Sequence, residues 1–396
     1  MPALNPQYPV LSSFNPQQYR NPMYFHLILT DNCNLCCSYC RAKAFLELDE
    51  SESERAVEID ENIPLELEYD LDTLYAFLRK DPSPTVTFYG GEPLLRADLI
   101  ERIVTEAPAQ RFMMQTNGLL LDRLSPAITN CFTTILVSLD GRRELTDANR
   151  GDRVYDRVMK NVRDIRSHGY SGELIARMTV TENTDIVDAV HWLADNPDFP
   201  FSSIHWQLDA NFAGDFSQRP FAAWADGSYN PGIRTLVNDW VDYMETEGEV
   251  LRWYPFLDCM EDLLLGRPSL LRCGSGHTNY TIMTDGHIAP CPVMIGMKQY
   301  YVGHIRDADP QNLDRIEVGG ECETCTIRSF CGGRCLYSNI TRPWGEPERR
   351  LVCGTVENLH AALNEALPRV RKLLLKGTIT REQFHHEKFN GCEIIP

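Results

Sequence analysis

Residues 24–40 read Tyr-Phe-His-Leu-Ile-Leu-Thr-Asp-Asn-Cys-Asn-Leu-Cys-Cys-Ser-Tyr-Cys. The apolar run over 24–29 predicts a buried strand, and a polar loop with four cysteines follows it directly. Functional residues of barrels built from parallel strands gather at the carboxyl ends of those strands. The stretch therefore predicts the first strand of an α/β fold together with the place of its functional site.

Five further strand-like runs follow along the chain, and helical stretches such as 71–80 and 153–168 separate them. Strands that alternate with helices favour a parallel sheet, closed or partly closed as a barrel. Polar or glycine-rich segments come directly after each of the first four strands, which supports this register. The further runs are 85–89, 112–115, 134–139, 174–180 and 203–208.

The composition is that of an ordinary soluble fold, with 396 residues of which 43% are hydrophobic and 24% charged. This length suits one large domain and a smaller one. A net charge of -18 makes nucleic acid a poor partner, because a phosphate backbone would be repelled. The sequence has neither a signal peptide nor an apolar run long enough to cross a membrane, so we expect a cytoplasmic protein without a membrane partner.

Fourteen cysteines without an export signal indicate metal ligands rather than disulfides. Cys33, Cys37 and Cys40 have a C-x3-C-x2-C spacing, which suits one cluster on one loop. Closed four-iron clusters take four cysteines, so three ligands leave one iron open to a small molecule. Cys36 could replace Cys37 in this set. The alternative is a zinc knuckle, for which Cys36 would be the one further ligand nearby.

The cysteine loop, with Tyr39 as its aromatic residue, resembles the signature of the radical S-adenosylmethionine (SAM) superfamily. Three later segments resemble elements of that family in the same order: 90–93 (Gly-Gly-Glu-Pro), 115–118 (Gln-Thr-Asn-Gly), and 137–141 (Val-Ser-Leu-Asp-Gly) with Arg150 after it. The resemblance implies a partial (β/α)6 TIM-like barrel with a four-iron cluster on the first loop. It places Arg150 at the SAM carboxylate. The implied SAM contacts are Tyr39, Gly90, Gly91, Glu92, Pro93, Asn117, Ser138 and Arg150.

A second cysteine group resembles the SPASM domain of radical SAM enzymes that modify peptides or proteins. The resemblance implies two auxiliary 4Fe-4S clusters, one on a first auxiliary set and one on a second auxiliary set. The first set lacks a fourth ligand. Either Cys259 supplies this ligand, or one iron stays open and binds the substrate. A double zinc ribbon is the competing interpretation. The first auxiliary set is Cys273, Cys291 and Cys335, and the second is Cys322, Cys325, Cys331 and Cys353.

The resemblance implies reductive cleavage of SAM to a 5′-deoxyadenosyl radical that removes hydrogen from a peptide or protein. The expected outcome is a crosslink such as a thioether, an epimerisation or an oxidation. Pro292 after Cys291 argues against sulfatase maturation, whose enzymes have an aspartate there. Expected partners are a ferredoxin or flavodoxin and, because only 32 residues precede Cys33, a separate leader-binding protein. The doubled Cys36-Cys37 resembles an archaeal-type branch.

Two other function classes stay open at this level. The first is a radical SAM dehydrogenase of a small molecule or cofactor precursor, and the second is a non-enzymatic iron-sulfur or zinc protein. The sequence assigns no catalytic acid or base. The expected organisation is a radical SAM barrel over 1–228, a connecting helical region over 229–271, a SPASM domain over 272–358, and a C-terminal helix and tail over 359–396.

Overall fold

A computed structural model describes residues 22–40, 57–209, 216 and 219–391, and within them ten strands form one sheet. The first six strands are parallel and lie side by side in chain order, each neighbour joined through a crossover. The predicted α/β fold is therefore confirmed, and each of the six predicted runs overlaps a strand. The strands are β1 Tyr24–Ile28, β2 Thr85–Tyr89, β3 Arg111–Thr116, β4 Phe132–Ser138, β5 Glu173–Val180, β6 Ser203–Leu208, β7 Arg252–Trp253, β8 Asn279–Ile282, β9 His287–Ala289 and β10 Gly303–His304.

Helices cover the outer face of the sheet, because alternate strand residues point outward and are apolar. In β1 the outward Phe25 meets Phe77 of the first helix, with ring centroids 5.2 Å apart. The helices are α1 Leu71–Leu78, α2 Ala97–Glu106, α3 Pro126–Thr129, α4 Arg143–Arg150, α5 Val154–Ser167, α6 Ile186–Ala194, α7 Phe221–Trp224, α8 Asn230–Glu247, α9 Tyr254–Leu265, α10 Arg328–Cys331, α11 Leu336–Thr341 and α12 Glu346–Lys376. None of the helices described is long and apolar enough to cross a membrane.

Two of the expected domain limits fall inside helical structure. A π-helical turn, Ala225–Tyr229, joins α7 to α8, so the limit at 228/229 lies within a continuous helical stretch. The limit at 358/359 lies within α12, which also carries Cys353. Helix α12 packs along α8, so the end of the described chain returns to the barrel wall.

The cysteine-rich part of the chain joins the barrel sheet instead of forming a sheet of its own. Strand β8 pairs in parallel with β1, with Tyr24 opposite Asn279, and β9 and β10 continue the sheet in antiparallel order. This pairing gives hydrogen-bond partners to the backbone groups on the edge of β1 that faces away from β2. The second cysteine group is thereby brought next to the strand that ends in the first cysteine loop.

Residues 378–391, which we call the C-terminal strap, pass across the amino-terminal ends of the strands. The Phe389 ring packs on Tyr24 at the start of β1, with centroids 5.0 Å apart. Nδ2 of Asn279 donates to the carbonyl of Phe389 at 3.4 Å, and Glu387 pairs with Arg111 at the start of β3. The strap therefore covers the end of the barrel opposite the cysteine loop. Cys392 lies outside the described residues.

Candidate functional site

A cavity of about 360 Å³ opens at the carboxyl ends of β1–β6. Cys33, Cys37 and Cys40 line one part of it, and Arg334 and Cys335 from the cysteine-rich part of the chain line another. The cavity therefore adjoins both cysteine groups. All the predicted SAM contacts except Pro93 are among its lining residues.

Three cysteines of the first loop turn toward one another. Burial raises the pKa of the Cys37 thiol to about 11, Arg150 opposes this rise, and the neighbouring thiols of Cys40 and Cys33 add to it. Cys36 is exposed and does not line the cavity. Among the described residues no group of three or more Cys, His, Asp or Glu side chains could hold a metal ion in the geometry present. The C-x3-C-x2-C ligand set therefore stays a prediction, and the place of its three cysteines at the cavity is consistent with it.

The Asp140 carboxylate, just after β4, holds the cysteine loop in place. It is fully buried and accepts from Nε and Nη2 of Arg150 at 3.0 and 2.8 Å. The hydroxyl of Tyr39 also donates to it, at 2.6 Å, as do Nδ2 of Asn149 and the backbone N–H of Thr179. Two nitrogen atoms of Arg150 are therefore committed to Asp140, and its contact with the SAM carboxylate stays a prediction.

Glu92 connects two neighbouring loops in a similar way. Its buried carboxylate accepts from the backbone N–H of Leu94 at 3.1 Å, the hydroxyl of Thr116 at 2.7 Å and the backbone N–H of Asn117 at 2.8 Å. Burial raises the pKa of Glu92, and these three hydrogen bonds oppose the rise. Pro93 begins the short 3-10 turn Pro93–Arg96 behind it. Glu92 therefore joins the loop after β2 to the loop after β3.

The two glycines before Glu92 allow the loop after β2 to lie against the loop after β1. Gly90 has a φ of +129°, which only glycine adopts readily. A Cβ on Gly91 would lie 2.1 Å from the carbonyl oxygen of Asn32, and the Gly91 N–H donates to the Thr30 carbonyl at 3.1 Å. Packing thus accounts for both glycines independently of any contact with SAM.

We expect Gly91→Ala to lower the free energy of unfolding by about 1–3 kcal/mol, because the methyl group overlaps backbone atoms. Gly227→Ala is the matched control, since nothing lies within 4 Å of its Cβ position in a helical stretch. Urea unfolding of both variants measures the difference. Equal stability of the two variants would contradict the packing role of Gly91.

Several lining residues were not singled out from the sequence. Arg177 of β5 donates from Nη2 to Oε1 of Gln207 in β6 at 2.9 Å, and both line the cavity. The signal for Arg177 was present, because it is a charged residue inside an otherwise apolar strand run. Ser138 at the end of β4 was predicted and lines the cavity, as does Asn117, whose Nδ2 donates to Oδ1 of Asn34 at 2.8 Å.

The seven cysteines of the second group fall into two clusters of neighbouring thiols. Burial is the largest cause of the raised pKa of Cys291, and the neighbouring thiols of Cys335 and Cys273 add to the rise. Burial likewise raises the pKa of Cys331 to about 11, with Cys353 and Cys322 among its neighbours. The other neighbours of Cys353 include Cys325. The first and second auxiliary sets stay predictions, because no group of these cysteines could hold a metal ion in the geometry present among the described residues.

Cys259 is the candidate fourth ligand of the first auxiliary set. It is buried in α9, burial raises its pKa to about 12, and its charged neighbours include Arg272, Asp258 and Cys331. Cys331 belongs to the second auxiliary set. Completion of the first auxiliary set by Cys259 stays a prediction, and Cys335 of that set lines the cavity.

Comparisons with known proteins find similar sequences over the barrel and over most of the chain. Residues 27–193 match the Radical SAM superfamily. An uncharacterised protein of Methanothermobacter thermautotrophicus is 30% identical over 40% of this chain and 58% of its own length. The mycofactocin maturase MftC of Mycolicibacterium smegmatis is 23% identical over 79% of this chain and 77% of its own. The chain thus spans less than two thirds of the first of these relatives.

A solved structure has the same fold. Native anSMEcpe with bound AdoMet and Cp18Cys peptide superposes with a TM-score of 0.63 at 17% identity, over 90% of this chain and all of that one. At this identity the likeness concerns the fold alone. It extends over most of the chain and therefore includes the cysteine-rich part.

Proposed function

We propose, from the match of residues 27–193 to the Radical SAM superfamily, that the protein is a radical SAM enzyme that modifies a peptide or protein. The proposal includes a 4Fe-4S cluster on Cys33, Cys37 and Cys40 and two auxiliary clusters in a SPASM domain. A ferredoxin or flavodoxin as electron donor, a separate leader-binding protein and a cytoplasmic location belong to it as well. The modification is a crosslink, an epimerisation or an oxidation.

One observation carries the proposal: a single cavity is lined by Cys33, Cys37 and Cys40 of the first loop and by Cys335 of the first auxiliary set. A substrate in that cavity would touch both cysteine groups at once. A purely electron-transferring protein has no need of such a space. The peptide-bound neighbour of the same fold and the maturase among the relatives favour a peptide over a small molecule.

Cys33, Cys37 and Cys40 would hold a 4Fe-4S cluster, and that cluster would supply the electron for cleaving SAM to methionine and a 5′-deoxyadenosyl radical that removes a hydrogen atom from the substrate. The residues of the chain position and shield this chemistry. Asp140 fixes Tyr39, and through it the loop that presents the cysteines. The loops after β1, β2 and β3 are tied together through Gly91 and Glu92, so the cavity wall is rigid before SAM binds.

The test is anaerobic reconstitution with iron and sulfide, followed by SAM, dithionite and a synthetic peptide encoded beside the gene. We expect about twelve irons per chain, and 5′-deoxyadenosine in amounts that rise with the peptide. The triple variant Cys33→Ala, Cys37→Ala, Cys40→Ala should keep about eight irons and form no 5′-deoxyadenosine. Bound zinc, or full iron without SAM cleavage, would contradict the enzyme, and cleavage stimulated only by small molecules would contradict the peptide substrate.

A further inference from the structure

The barrel interior contains a layer of small polar side chains one step below the cavity, which we call the threonine layer. His26 of β1 lies opposite Thr87 of β2 on one side and Thr281 of β8 on the other. Ile28 and Tyr89, two residues further along β1 and β2, line the cavity. Because side chains two apart on a strand share a face, the threonine layer faces the same interior space as the cavity lining.

Several polar atoms in and above this layer are buried without a hydrogen-bond partner among the described residues. They include the hydroxyls of Thr87 and Thr281 and Nε of Arg177. Nδ1 of His26 also lacks a partner at hydrogen-bond geometry, although the Asn279 amide lies near enough to raise the pKa of the imidazole. Leaving such atoms dry is unfavourable, and buried water in proteins typically satisfies groups of this kind.

The side chains of this layer are also more polar than those of a dry barrel interior. Parallel barrels usually fill each interior layer with bulky branched residues. Here the positions on both sides of His26 are threonines, and the layer continues through Met113 of β3 to Thr134 of β4, which lies opposite Glu173 of β5.

Two contacts connect the threonine layer to the cavity. The His26 ring packs edge-on against Tyr89, with centroids 5.1 Å apart, and Tyr89 lines the cavity. Arg177 lines the cavity and lies near enough to His26 to contribute to the lowering of its pKa. Burial lowers the pKa of His26 to about 4, so the imidazole is neutral near pH 7 and presents one donor and one acceptor.

We propose that ordered water molecules occupy the threonine layer and take up the proton that the substrate loses during oxidation. This rests on the proposed function. Once a hydrogen atom has been removed from the substrate, conversion of the carbon radical to a double bond releases one electron and one proton. An oxidised auxiliary iron-sulfur cluster would accept the electron, and the proton would pass through the nearest water of the layer to the neutral imidazole of His26.

Three carboxylates in or beside the cavity already have partners. Glu92 accepts three hydrogen bonds and Asp140 accepts five. Asp209 faces the guanidinium of Arg219, with 3.7 Å between the charged atoms. Protonation of any of these three carboxylates would weaken the contacts that it makes.

The experiment uses the double variant Thr87→Val, Thr281→Val, which keeps the shape of both side chains and removes both hydroxyls. Thr129→Val is the matched control, because that buried hydroxyl donates to the Ser125 carbonyl far from the cavity. Crystals of the reconstituted wild type should contain water at both hydroxyls, and the double variant should lack it. A dry layer in the wild type would overturn the proposal.

The second readout is the amount of oxidised peptide formed per 5′-deoxyadenosine. We expect this ratio to fall about tenfold or more in the double variant, while SAM cleavage itself changes less than about twofold. An unchanged ratio would overturn the proton route even if the waters are present. Absence of 5′-deoxyadenosine in the wild type would instead reject the proposed function, and with it the proton route, while the crystallographic result on the water would stand by itself.

Discussion

Cys37→Ala is expected to abolish 5′-deoxyadenosine formation, whereas Cys36→Ala keeps wild-type activity within about twofold. The two residues are adjacent, but Cys37 lines the cavity beside Cys33 and Cys40, and Cys36 is exposed to solvent. Loss of Cys37 leaves two thiolates, too few to hold a cluster. The measurement is the rate of SAM cleavage with dithionite after anaerobic reconstitution, together with iron content.

The adjacent-cysteine pair is its own control, because both substitutions remove one thiol from the same loop. If Cys36→Ala abolished cleavage and Cys37→Ala did not, the ligands would be Cys33, Cys36 and Cys40, and the loop would have to turn over from the conformation described. If both variants were inactive, the doubled cysteine would have a role beyond simple ligation.

Asp140→Ala is expected to lower the free energy of unfolding by about 3–5 kcal/mol, because it leaves Arg150 as a buried charge without its partner. Both side chains are almost inaccessible, at 0% for Asp140 and 6% for Arg150. The hydroxyl of Tyr39 loses its acceptor in the same substitution. Urea unfolding of the protein without metal measures the effect, so cluster loss does not contribute to it.

A surface ion pair of similar geometry is the control for this prediction. Asp188 accepts two hydrogen bonds from Arg142, but both side chains are about half exposed. Exposed pairs are usually worth less than about 1 kcal/mol, so Asp188→Ala should be nearly neutral. Similar losses in the two variants would mean that burial does not decide the strength of the Asp140 contacts.

The strands, and the place of the first cysteine loop after β1, could be predicted because their signals are local. Apolar runs with helical spacers define β1–β6. The loop of Gly90 and Gly91 could be placed in the same way, although the sequence did not reveal that Gly90 lies against Thr30 and Gly91 against Asn32. Local sequence patterns thus indicated the position of the candidate site more fully than the role of each residue in it.

Long-range contacts account for what the sequence missed. Asp140 was read only as part of a family segment, since nothing near it in the chain indicates that Tyr39 and Arg150 converge on it. The choice between Cys259 and an open iron likewise depends on contacts between distant segments, because Cys259 lies in α9, before the second cysteine group. The place of β8 beside β1 depends on a strand pairing across most of the chain, for which the sequence offers no short-range sign.

The pairing of β1 with β8 also affects how the chain can fold during synthesis. Until residues 279–282 have left the ribosome, β1 has no partner on one side, and its open edge could pair with another chain. Contacts between strands so far apart form slowly, because a long loop must close first. Slow translation, low growth temperature and chaperone supply should therefore raise the yield of folded protein more than a stronger promoter would.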